Sequence, residues 1–181
     1  MELTELNETV IGSESIYEGK IVHLRVDTMR LPDGKESKRE IVAHNGAVCV
    51  VPIRDDGMIL LVRQFRLAAG GVLLEIPAGT REAGEDPADC AARELEEETG
   101  YRAAQIVPLF SAYLAPGYST ELIHAYLATG LTATQTHFDE GENLELVALS
   151  FEETERRLLA GGFQDAKTIA ALLLALKMQT K

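Results

Sequence analysis

The sequence predicts an α/β fold in which helices cover a mixed sheet. Three observations carry that reading: apolar, β-branched runs divided by Pro, Asp and Gly turns; one sharply bounded helix set among them; and two helices closing the chain. Lys20 to Leu31 and Glu36 to Val42 read as strands joined by Pro32-Asp33-Gly34, an amino-terminal β-hairpin. Ala47 to Ile53 and Met58 to Phe65 read as a second hairpin around Asp55-Asp56-Gly57. Leu73 to Ile76, Ile106 to Leu114, Glu121 to Ala128 and Leu144 to Leu149 complete the strands. Ser150 with Glu153 forms a capping box for a helix that Gly161-Gly162 ends, and Asp165 caps a last helix running to about Gln179.

The internal helix is expected from Pro87 to Thr99. Asp86 is a good N-cap, Pro87 suits the first helical position, and Gly100 suits the left-handed residue past the end. At about 100° per residue, Ala88, Ala91, Ala92, Leu95 and Thr99 share one side, and Glu94, Glu97 and Glu98 the other, facing away from the core. Glu96, Glu97 and Glu98 crowd the negative end of the helix dipole, and Glu94 repels Glu98 one turn on. Arg93 is placed to pair with Glu97, but one arginine does not neutralise four glutamates. A divalent cation is the remedy this pattern calls for, and carboxylates without histidine or thiolate select a hard one, Mg²⁺ or Mn²⁺.

Composition bounds the partners. The 181 residues, 46% of them hydrophobic, suit one domain with a small appendage, and a net charge of -12 with pI near 4.8 argues against a nucleic-acid or anionic-membrane partner. Cys49 and Cys90 lie in no ligand spacing, and Cys90 reads as structural rather than nucleophilic. The acidic start lacks the basic and apolar regions of a signal peptide, and the apolar run Ile169 to Leu176 is too short to cross a bilayer, so a cytoplasmic location is expected. His23, His44, His124 and His137 share no zinc spacing, and no Gly-x-Ser-x-Gly, Walker or Gly-x-Gly-x-x-Gly motif occurs.

Gly79, five residues, Glu85, seven residues, Arg93-Glu94-Leu95, one residue, Glu97-Glu98, one residue, Gly100 and a bulky residue together resemble the signature of the Nudix hydrolases. Tyr101 stands where the family usually has an aliphatic residue. The resemblance implies an α/β/α sandwich with a mixed sheet and an amino-terminal β-hairpin extension. It divides the chain into a dimer-forming segment, 1–45, and a hydrolase domain, 46–181. It also implies hydrolysis of a diphosphate linked to a second moiety.

Pro116, sixteen residues past Gly100 in Leu114-Ala115-Pro116-Gly117-Tyr118, resembles the ADP-ribose pyrophosphatase branch, as do Arg39-Glu40-Ile41 and Gln64-Phe65-Arg66. In that branch the amino-terminal hairpins exchange between subunits, which implies a homodimer. The resemblance implies that Glu94, Glu97, Glu98 and Glu142, with the Ala78 carbonyl, hold the metal. Glu140 is then the general base beside Glu97 as a catalytic group. Arg39, Glu40, Arg66, Pro116 and Gly117 contact substrate, while Gly79, Glu85 and Arg93 brace the loop and helix. The implied reaction is Mg²⁺-dependent cleavage of ADP-ribose to AMP and ribose 5-phosphate. Another nucleoside diphosphate sugar such as GDP-mannose is the main rival. A noncatalytic nucleotide-sugar sensor is a third reading, although a sensor would be expected to lose some of Glu94, Glu97 and Glu98. A structural metal-binding protein comes last.

Overall fold

The computed structural model describes residues 7–134 and 143–179, in two compact units. The first takes the described part of Met1–Asn45 together with Tyr113–Leu122; the second takes Gly46–Ala112 and the described part of Ile123–Lys181.

The first unit is a three-stranded antiparallel meander, β1 (Thr9–Glu18), β2 (His23–Arg30) and β3 (Glu36–Ala43), with β2 in the middle. The turn between β2 and β3 forms where Pro32-Asp33-Gly34 predicts it: Gly34 takes φ +83 and its N–H donates to the Leu31 carbonyl at 2.9 Å. The predicted hairpin is therefore part of a larger sheet. Strand β1 escapes sequence reading because all ten of its residues are exposed, so burial imposes no alternation on it. It is fixed across the ladder instead: Ser13 donates to the buried Asp27 carboxylate at 2.6 Å. The predicted Lys20 start is also early. Gly19 donates to the Val22 carbonyl, a turn that delays β2 to His23. Around Pro116 and Gly117 the chain turns back on itself, and Tyr118 and Thr120 pair with Val42 at 2.8 and 3.0 Å.

The second unit holds two sheets and three helices. One sheet runs β7 (Ala78–Thr80), β4 (Ala47–Pro52), β9 (Leu122–Ala133), β8 (Tyr101–Tyr113), and is mixed, with β4 parallel to β9 and antiparallel to β7. The other is antiparallel: β10 (Leu144–Ser150), β5 (Met58–Arg66), β6 (Gly71–Glu75). The helices are α1 (Pro87–Thr99), α2 (Phe151–Leu159) and α3 (Ala166–Gln179). Ser150 caps α2 by accepting from Glu153 N, and Asp165 accepts from Thr168 N at the start of α3, as their sequence signals predict.

The expected second hairpin does not form. Its turn is present, with Gly57 at φ +80 and its N–H on the Arg54 carbonyl, but pairing stops at an Ile53–Ile59 bridge and the strands enter different sheets. The reason lies in β4, which is buried at every residue. Cys49, Val51 and the following Ile53 enter one core with Ile59, Leu61 and α3 residues Ala171, Leu172 and Ala175; Val48 and Val50 enter another with Cys90, Ala91 and Leu95 of α1. A strand apolar on both faces belongs in the middle of a layered sheet, and β4 takes β7 and β9 as neighbours.

Candidate active site

Helix α1 has the predicted bounds and the predicted caps. Asp86 Oδ1 accepts from Ala88 N at 2.8 Å, and Gly100, at φ 70, donates to the Glu96 carbonyl at 2.8 Å. Cys90, Ala91, Leu95 and Thr99 are buried, but Ala92 is exposed, correcting the predicted apolar face. Glu98 corrects it again. It is only 4% exposed rather than facing away, because it stands three residues past Leu95 and seven past Ala91, in the buried stripe itself. Its Oε2 accepts from Ala78 N of β7 at 3.1 Å, which ties the last turn of the helix to the strand end.

Glu94 lies against the same strand. An added Cβ on Gly79 would meet the Glu94 carboxyl carbon at 1.9 Å and its oxygens at 2.0 and 2.2 Å, so glycine is what leaves room for the carboxylate. Arg93 gathers the rest. Its Nη1 donates to Glu94 Oε1 at 2.7 Å and to Glu97 Oε2 at 2.9 Å, while Nε and Nη2 donate to the two oxygens of Glu85 at 3.0 and 3.2 Å. Glu85 also accepts from Glu82 N, pinning the loop before α1. The Arg93 hydrogen bonds hold the Glu85 carboxyl down to about 2, and the pair raises Arg93 in return. Burial pushes the Cys90 thiol up to about 12, which makes it a poor nucleophile at neutral pH and fits its expected structural place.

Glu96, the remaining acid of the last turn, accepts from Arg102 Nε at 2.7 Å. Sequence reasoning credited Arg93 alone; Arg102 could have been found as the first cation past the Gly100 stop. It also missed Glu75, a 1% exposed carboxylate at the end of β6 that holds Arg66 through both oxygens, Nε and Nη2 each at 2.9 Å. These bonds, with the fields of Glu75, Glu98 and Asp165, raise Arg66 above the ordinary arginine value.

The second unit thus brings together Ala78, Gly79, Glu85, Arg93, Glu94, Glu97 and Glu98, and Arg66 on Glu75 belongs to the same unit. Arg39, Glu40, Pro116 and Gly117 belong to the first unit. There Arg39 donates to Ser37 Oγ at 2.7 Å and to Glu8 Oε1 at 2.9 Å. Arg39, Glu40 and Gly117 line a cavity of about 580 Å³ with Ile16, Val26 and Tyr118. Glu140 and Glu142 lie outside the described residues.

The donor chemistry of α1 and β7 is oxygen throughout, which fits a hard divalent cation. Among the described residues, no three His, Cys, Asp or Glu side chains are already gathered as a metal cage. Arg93 bridges Glu94 and Glu97, and would have to yield contacts to an incoming ion.

A family model described as the NUDIX domain matches residues 43–172, and one described as the nucleoside diphosphate sugar hydrolase N-terminal domain matches residues 8–42. An ADP-ribose pyrophosphatase from Bacillus subtilis (strain 168) is 40% identical over 172 residues, covering 94% of this chain and 93% of that one. A methanol dehydrogenase activator from Bacillus methanolicus is 42% identical, covering 91% and 90%. A GDP-mannose pyrophosphatase from Yersinia enterocolitica is 38% identical over 72% and 73%. A crystal structure described as an ADP compounds hydrolase aligns with a TM-score of 0.86 over 96% of this chain and 94% of its own, at 24% identity, and shares the fold. The expected α/β class with a mixed sheet stands.

Proposed function

The chain belongs to the NUDIX family, and from that premise we propose that it hydrolyses the diphosphate of ADP-ribose to AMP and ribose 5-phosphate. The carrying observation is the acidic last turn of α1 set against β7, with Glu98 on the Ala78 amide and Glu94 over Gly79. The choice of sugar nucleotide leans on the Bacillus subtilis relative.

Glu94, Glu97, Glu98 and the Ala78 carbonyl, with Glu142, would hold Mg²⁺, or Mn²⁺ in its place. When bound, the ion supplies positive charge for the phosphate oxygens and lowers the pKa of coordinated water. The chain's own groups do the rest. Arg66, held by Nε and Nη2, keeps its Nη1 edge for a phosphate oxygen. Arg39 and Glu40 read the base in the first unit, beside the Pro116-Gly117 turn. Glu140 accepts the proton from the attacking water, and Glu97 serves as the second catalytic carboxylate. Glu85 and Arg93 keep the loop and the helix in register.

GDP-mannose is the second reading, favoured by the Yersinia enterocolitica relative. A noncatalytic sensor is disfavoured, since Glu94, Glu97 and Glu98 are all retained. Purified protein with Mg²⁺ should be offered ADP-ribose, ADP-glucose, GDP-mannose and NADH, ranked by kcat/KM. ADP-ribose ranking first supports the proposal; GDP-mannose ranking first transfers it, and no turnover on any of them refutes it.

A homodimer formed through the segment 1–45 is part of this reading. Its support is β1, an edge strand that exposes Val10, Ile11, Ile16 and Tyr17 along a row of unpaired backbone groups. Light scattering on the eluted protein tests it, a monomer at micromolar concentration being the adverse result. The charge of -12 supports neither a nucleic-acid nor a membrane partner, and among the described residues no helix is long and apolar enough to cross a membrane. Two buried free thiols support a cytoplasmic setting.

A further inference from the structure

We propose that Lys167, in the first turn of α3, is a positioning residue for Arg66, acting through the Glu75 carboxylate that both cations share. The inference rests on the phosphate-binding role given to Arg66 above.

Lys167 is a lysine where lysines are seldom found, its side chain 11% exposed. Stripping water from an ammonium is costly, so a buried one needs anionic partners. It has two. Its Nζ donates to Glu75 Oε2 at 2.7 Å and pairs with Asp165 Oδ2 at 2.8 Å. The same Glu75 Oε2 accepts from Arg66 Nη2, and Oε1 accepts from Arg66 Nε. Two cations and two carboxylates alternate as Arg66, Glu75, Lys167 and Asp165.

This arrangement fixes the carboxylate rather than merely satisfying it. A carboxylate held from one side by a single guanidinium keeps freedom to rotate, and the guanidinium swings with it. With Lys167 as a second donor on Oε2, the plane of Glu75 is set, and the fork of Arg66 is set in turn. A second link stiffens the mount: Thr168 Oγ1 accepts from Ile76 N at 3.0 Å, beside Glu75, and Thr168 N donates to Asp165 Oδ2 at 3.0 Å. The first turn of α3 is thereby joined to the end of β6 at two adjacent residues. Arg66 itself is 42% exposed, so its outer edge is available while its inner edge is anchored.

The test is a kinetic cycle with ADP-ribose at saturating Mg²⁺. Lys167→Met should raise KM at least ~5-fold with kcat held within about twofold, since binding geometry and not the chemical step is disturbed. Lys167→Arg, which keeps a buried cation, should recover most of the loss. In an Arg66→Met background, Lys167→Met should add nothing, as required when one residue acts through the other.

An unchanged KM for Lys167→Met, or a full effect that persists without Arg66, overturns the proposal. Should Lys167→Met not fold, Lys167→Gln takes its place; failure of both to fold assigns Lys167 to the fold alone and overturns it as well. Arg66→Met with an unchanged KM is a different result, which removes the phosphate role of Arg66 on which the inference rests.

Discussion

Gly79 and Glu94 occupy one space. The Glu94 carboxyl carbon lies 1.9 Å from where a Cβ on residue 79 would stand, so the strand lacks a side chain at the point where the helix delivers a carboxylate. Substituting Gly79 with Ala should displace Glu94 rather than unfold the domain, because the obstructing atoms are the far end of a flexible side chain. We expect kcat/KM to fall at least ~10-fold while Tm moves by no more than about 3 °C. Calorimetry beside steady-state kinetics reads both, and a large loss of Tm with activity per folded molecule intact would contradict the assignment.

Glu98→Gln should lower turnover at least ~100-fold and leave the fold intact. The amide keeps an oxygen to accept from Ala78 N, so the tie between α1 and β7 survives while the charge is lost. Near-normal turnover would remove Glu98 from the metal site. Glu98→Leu, by contrast, orphans the half-buried Ala78 N–H and should cost about 1 kcal/mol in urea unfolding.

Glu140→Gln should depress turnover while hardly altering Mg²⁺ affinity, the pattern of a proton acceptor that is not a ligand. Calorimetric titration with Mg²⁺, set beside turnover, separates the two roles. Unchanged turnover moves the base elsewhere, and a large loss of Mg²⁺ affinity makes Glu140 a ligand.

Acid should weaken the loop before α1. Glu85 titrates near 4.5 when unfolded and is held down to about 2 by Arg93 in the fold. A depressed carboxyl contributes stability that is present above pH 4.5 and is lost as pH falls through 4.5 toward 2. Urea midpoints between pH 6 and about 2.5 should therefore fall less steeply in Glu85→Gln than in the unaltered protein. Parallel curves would show that the pair contributes nothing to the acid limb.

Much of the second unit was legible in the sequence because its signals are local. Asp86, Pro87 and Gly100 fix both ends of α1, and Gly57 fixes a turn where a left-handed residue is needed, as Gly34 does in the first unit. Strand β7 was not legible, since Ala78-Gly79-Thr80 has no pattern of its own and is defined by pairing with β4. The parting of β4 from β5 was hidden for the same reason: a turn signal says that the chain reverses, not that the flanking strands stay paired. In the site, the spacing of Glu94, Glu97 and Glu98 was plain, but the burial of Glu98 was misjudged by weighing its charge above its place in the stripe. Glu75 and Lys167 are 92 positions apart, and no local rule connects them.

The parallel pairing of β4 with β9 bears on how this protein is made. Ala47 finds its partner in Ile123, so during synthesis a strand that ends up buried at every residue waits with one side uncovered until Leu122–Ala133 has emerged. A product cut short before Leu122 would therefore be sticky rather than half-active, because an unpaired hydrophobic strand recruits whatever strand is nearest.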